Sequence, residues 1–162
     1  MSFPVQLGTA LQALGLSLMI GGLLALGAFT APVLFKQFAR PEAGTAMALI
    51  FRRYDVVLLA GAVLVMLGEL LRLWFSGRSF GETLAGGWLQ GFRMGALVAL
   101  LVCIFYGTLH VNPRLETLQK AGVYGHGAQA VQEFQALHKR SEQVAKFQLS
   151  LAVVLLVLTP FL

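Results

Sequence analysis

Apolar residues fall into four long runs, about Val5–Phe35, Tyr54–Phe75, Trp88–Val111 and Val144–Leu162, with polar stretches between them. Each is long enough for a helix to cross a hydrocarbon core, which takes about 20 residues. A backbone facing lipid finds no water to bond, so such runs must be helical. The pattern predicts an all-α integral membrane four-helix bundle, one domain over residues 1–162, with helices near 5–35, 45–75, 88–112 and 128–162. The part 128–145 differs from the rest. Val131, Phe134, Leu137 and Val144 recur at helical spacing with charges between them, which predicts an amphipathic cytoplasmic helix leading into the fourth span and lying partly at the membrane surface.

Turn chemistry marks the connections. Pro41 suits the first turn of a helix and Glu42 its positive end. Gly122-Val-Tyr-Gly-His-Gly reads as a flexible break. Ala31-Pro-Val-Leu-Phe and Asn112-Pro-Arg-Leu-Glu are expected to close the first and third helices, and basic-then-acidic clusters (Phe51-Arg-Arg-Tyr-Asp and Leu137-His-Lys-Arg-Ser-Glu) to open the return helices. Two such hairpins of equal orientation would form a parallel repeat.

Small residues predict packing. Gly91, Gly95, Ala99, Cys103 and Gly107 recur every fourth position, and Ser17, Gly21 and Ala25 make a shorter series. Small side chains at that spacing let backbones approach, so the first and third helices are expected to make the tight central contact.

Composition agrees with the class. The chain is 57% hydrophobic and 12% charged, against roughly 25% charged residues in soluble domains. Its mean hydropathy is +0.77 and its pI about 9.9. Charge distribution explains the basic balance without nucleic acid. Lys36, Arg40, Arg52, Arg53, Arg114, Lys120, Lys139, Arg140 and Lys146 lie by the first and third connections; Arg72, Arg78 and Arg93 surround the second. The positive-inside rule places the crowded side in the cytoplasm. A multi-pass protein of the cell membrane with both termini outside is expected. The first run exceeds the ~7–15-residue core of a signal peptide and reads as a retained helix. Lys36, Arg40, Lys120 and Lys139 suit anionic lipid head groups. Expected partners are the bilayer with its anionic lipids, and a second copy or a partner subunit.

Ionisable groups at membrane depth need a partner or a purpose. Candidates gather at the cytoplasmic end: Cys103, Tyr106 and His110 at i, i+3, i+7, then Asn112 and Glu116; His138, Ser141 and Glu142 on the amphipathic helix; and Arg52, Tyr54 and Asp55 from the other hairpin. His110 and His138 are expected to approach one another. Imidazoles there suit a metal, a haem or a proton relay, and equally suit helix-end hydrogen bonding. His126 sits in the Gly-rich turn. Glu69 and Arg72 are expected to pair at i, i+3, and Gln12 and Gln148 to bond between helices. The lone Cys103 excludes an internal disulfide, and no nucleotide-binding, hydrolase or metalloprotease motif is present.

Ala31-Pro-Val-Leu-Phe, Asn112-Pro-Arg-Leu and Phe134-Gln-Ala-Leu-His-Lys-Arg-Ser resemble elements of the transmembrane-protein-205-like family, over about Leu14–Leu158. That group is a four-helix domain of unknown function, distantly similar to copper-resistance protein D and to four-helix haem-dependent protoporphyrinogen oxidases. The resemblance implies a four-helix bundle linked to metal handling. His138 and Ser141 match its Leu-His-x-x-Ser element, and Pro113 its third-helix proline. Ala145 stands where the family often has Asn, and the first helix lacks the histidine on which the haem oxidases depend. The expectation is a non-enzymatic membrane protein that binds or moves a small ligand or metal species at the cytoplasmic cluster. Two alternatives stand beside it: an accessory or scaffold subunit binding a partner or lipid, and a haem-binding oxidoreductase.

Overall fold

The computed structural model describes residues 3–76, 87–120 and 128–159. Among them every long element is helical: α1 (Phe3–Gln37), α2 (Arg40–Ser76), α3 (Trp88–Lys120) and α4 (Ala128–Leu158). All four contain windows long and apolar enough to cross a membrane. Large apolar side chains cover the outside, among them Phe29, Val56, Leu70, Val102 and Val157. A soluble protein would not present such a surface all round its helices; a bilayer solvates it. The protein is a multi-pass, all-α membrane bundle.

Arg40–Ser76 is one helix of 37 residues, about 55 Å long, so its first turns stand clear of a ~30 Å hydrocarbon core. Pro41 and Glu42 occupy its first turn, as their chemistry predicts. The amphipathic segment runs into the apolar part of α4 without a break. The Gly122–Gly127 turn, with His126, and Arg78 lie outside the described residues.

The first helix closes at Gln37, two residues past the expected Phe35, whereas the third runs on to Lys120, so the expected close near residue 112 is corrected. Each widens by one residue per turn just before its proline, over Ala25–Thr30 and over Gly107–Val111. The Ala31 N–H reaches back to the Leu26 carbonyl and the Asn112 N–H to that of Gly107, both i→i−5. A proline ring presses on the carbonyl four residues earlier and offers no N–H. A wide turn moves that carbonyl aside and keeps the chain helical.

The tight contact also differs from the expected one. It joins α1 to α2. A Cβ built on Gly8 would lie 2.6 Å from the Gly68 carbonyl oxygen, and one on Gly15 2.5 Å from that of Gly61. Gly22 lies against the Tyr54 ring, and the Tyr54 hydroxyl donates to the Met19 carbonyl at 2.8 Å. Steps of seven along α1 (8, 15, 22) meet steps of seven backwards along α2 (68, 61, 54), the register of an antiparallel pair. Seven residues make two turns, so each set stays on one face. Gly95 and Gly21 meet nothing within 4 Å of a built Cβ, and Gly107 makes only ordinary contact with Val144 and Gln148 of α4. The four-residue stripe on α3 therefore does not carry the closest approach, and α1 packs mainly on α2 and α4. Leu16, Met19, Leu58, Val65, Leu100, Ile104, Ala152 and Leu155 fill the interior.

Candidate functional site

Polar groups collect at both ends of the bundle, in different ways. At the end where α1 and α3 begin and α2 and α4 finish, four side chains from three helices meet inside the protein: Gln12, Glu69, Arg72 and Arg93. They are 3%, 5%, 8% and 3% exposed. Arg93 forms an ion pair with Glu69, and its Nη1 donates to Oε1 of that carboxylate at 3.0 Å. The Gln12 amide also donates to Glu69. The Gln12 carbonyl oxygen accepts from both arginines, from Arg72 at 3.0 Å and from Arg93 at 3.2 Å.

The glycine contact makes room for this network. A Cβ on Gly8 would meet the Arg72 Cγ at 2.8 Å, and one on Gly68 the Gln12 Cγ at 2.7 Å. Local sequence thus sets the geometry: two missing side chains let two long ones pass between helices. Trp74 and Trp88, both more than four-fifths exposed, flank the network at this end, as indoles do at a membrane–water boundary. The site therefore lies near one membrane surface but inside the protein.

Glu69 and Arg72 were expected to pair with each other. Their shared face of α2 looks into the bundle, where Arg93 of α3 and Gln12 of α1 reach them instead. Gln12 does bond between helices, as expected. Gln148 is buried on α4.

The opposite, basic end holds the residues singled out by their density. Four of them meet. Asn112 donates to both oxygens of the half-buried Asp55 at 3.0 Å, and Arg52 pairs with Glu116 at 3.3 Å. Lys120 also reaches Glu116, at 2.7 Å, and Arg114 pairs with Glu133 at 2.8 Å. Tyr54 turns away to α1. The ring contact of each histidine is on its own helix: His110 stacks on Tyr106 at 6.0 Å, and His138 on Phe134 at 6.1 Å. His138 Nε2 lies 3.4 Å from Glu142. Both histidines are exposed, while Cys103 and Ser141 are half-buried. Among the described residues no three His, Cys, Asp or Glu side chains gather to hold a metal ion.

The buried network was missed as a unit because its members lie far apart in sequence. The available signal was physical: one glutamine and three charges inside apolar runs, all nearer the end that is otherwise poor in charge.

Comparison with curated proteins and with solved structures gives no match. A family model does match, over residues 14–123, and so covers Glu69, Arg72, Arg93, Asp55 and Asn112. The match spans more than half of the chain, which therefore belongs to the family described as a domain of unknown function (DUF4149).

Proposed function

We propose that the protein is a non-enzymatic membrane protein that binds a small oxyanion at the buried network of α1, α2 and α3. The observation that supports this reading is a charge count. Among the described residues two guanidiniums, Arg72 and Arg93, face one carboxylate, Glu69, and all three are more than nine-tenths buried. Arginine does not lose its proton in proteins. Glu69 is paired with Arg93, and Arg72, within electrostatic reach of the same carboxylate, makes its hydrogen bond to the neutral Gln12 oxygen. A guanidinium has five N–H donors, and among the described residues that of Arg72 uses one of them.

An uncompensated charge in a low-dielectric interior costs several kcal/mol. An anion removes that cost. The guanidinium fork fits carboxylate and phosphate groups best, which gives the ligand class. The flanking tryptophans put the site about one or two turns from water, so a small ion has a short way in. With the crowded cations in the cytoplasm, as charge asymmetry expects, entry is from the other side of the membrane.

The likeness to transmembrane-protein-205-like and copper-resistance proteins rests on short proline and histidine motifs. The metal link it implies has no gathered ligand set among the described residues.

Titration calorimetry of the protein in neutral detergent tests the proposal, with formate, acetate and phosphate at constant ionic strength. One anion per chain is expected. Arg72→Gln should abolish binding while helicity and elution volume stay unchanged. No saturable heat with the wild type, or undiminished binding by the variant, would overturn it.

A further inference from the structure

At the basic end a shallow, open groove runs along α2, lined by Leu49, Arg52, Arg53 and Val56. These positions are i, i+3, i+4 and i+7, so they share one helical face. Arg52 is held by Glu116 of α3. Arg53 is exposed and has no ion pair or hydrogen bond among the described residues. Leu49 and Val56 are exposed too, and below Val56 the apolar face continues through Ala60 and Val63, both open to the outside.

Depth fixes what such a groove meets. Arg53 and Arg72 lie nineteen residues apart on one continuous helix, about 28 Å along its axis. A hydrocarbon core is ~30 Å thick. With Arg72 beside the tryptophan boundary, Arg53 stands at the head groups of the opposite leaflet. A charge is therefore presented where phosphates are, and an apolar lane leads from it to where acyl chains are.

We infer that Arg52 and Arg53 form a discrete site for one anionic phospholipid of the leaflet at the basic end. The lipid phosphate bonds the free Arg53 fork, with Arg52 beside it. One acyl chain lies over Val56, Ala60 and Val63. This site is independent of the buried network and binds a lipid whether or not the network binds an anion. It differs from a general attraction of basic loops to the membrane, because it needs both arginines and the apolar lane on a single face.

Native mass spectrometry of the full chain tests it, after release from nanodiscs of equal phosphatidylglycerol and phosphatidylcholine. One phosphatidylglycerol should stay bound to the wild type. Arg53→Gln should lower its retention about tenfold, since a charge-assisted bond to phosphate is lost. Lys139→Gln, which removes a cation at the same end, should leave retention unchanged. Val63→Glu should also release the lipid, and added glycerol phosphate should not displace it. Equal losses in Arg53→Gln and Lys139→Gln would reduce the site to general charge attraction. Equal retention of the zwitterionic lipid, or displacement by glycerol phosphate, would also overturn the inference.

Discussion

The two ends of the bundle treat charge in opposite ways. The basic end is rich in ions, and most of them remain in contact with the outside. The side chains of the Arg114–Glu133 pair are 56% and 42% exposed. The other end has few ions among the described residues and hides them: the side chains of the Arg93–Glu69 pair are 4% and 7% exposed. Exposed pairs gain little, because water and salt screen them and two long side chains must be ordered. Buried ions cost several kcal/mol each to desolvate, a cost that only close partners or a bound counter-ion offset. The number of charges at a membrane boundary therefore says little about where they matter. The number withdrawn from solvent says more.

Glu69→Gln should have the largest effect on this comparison. It leaves two buried guanidiniums with no carboxylate, and breaking a buried pair in this way typically costs about 3–5 kcal/mol. Thermal unfolding in neutral detergent should show it, and the double variant with Arg93→Met should recover a large part of the loss. Equal destabilisation by the single and double variants would mean that the charges do not act as a pair.

Gly8→Leu comes next. Its side chain would enter the Gly68 backbone and the Arg72 stem, and overpacking of this kind costs about 1–3 kcal/mol or more. Gly95→Leu points into open space and should stay within about 0.5 kcal/mol of wild type. The reverse order would restore the α3 stripe as the close contact.

The basic end should give smaller effects than loss of the buried Glu69 carboxylate. Asn112→Ala removes the partner of the half-buried Asp55, a loss of about 1–3 kcal/mol if water does not replace it. Arg114→Gln should change stability by less than about 1 kcal/mol, and by still less at high salt. A larger loss for Arg114→Gln than for Asn112→Ala would contradict the burial argument.

Much of the fold was legible in the chain. Four spans follow from length and apolarity, and the start of α2 from Pro41 and Glu42. Helix ends were less so, because a proline closes a helix only when no wide turn can absorb it. Pro32 and Pro113 each follow such a turn, and backbone hydrogen bonding decides this, not residue type. The α1–α2 contact was written in steps of seven, at Gly8, Gly15, Gly22, Gly61 and Gly68. The steps of four on α3 were more conspicuous, yet Gly95 meets nothing within the protein. Spacing alone does not say which glycines face a helix and which face lipid.

The site was legible in its parts. Gln12, Glu69, Arg72 and Arg93 each stand out within an apolar run, but their meeting depends on the register of three helices. At the basic end, Arg52, Asp55, Asn112 and Glu116 were placed near one another by topology alone and do come together in pairs. The histidines drew notice for their chemistry, while the structure gives each a ring partner on its own helix.

The central claim is that, among the described residues, the Gln12–Glu69–Arg72–Arg93 network carries one positive charge too many until an anion joins it. Arg72→Gln removes that charge and keeps a polar side chain of similar reach. Its thermal unfolding should be compared with that of the wild type, with formate or phosphate and with a bulky organic sulfonate at the same ionic strength. The account predicts a wild type stabilised by the small anion, by about 2.7 kcal/mol at a hundred times its Kd, and a variant that is indifferent to the anion and at least as stable as the wild type in sulfonate. A variant equally destabilised in every anion would make Arg72 a structural clamp and contradict the claim.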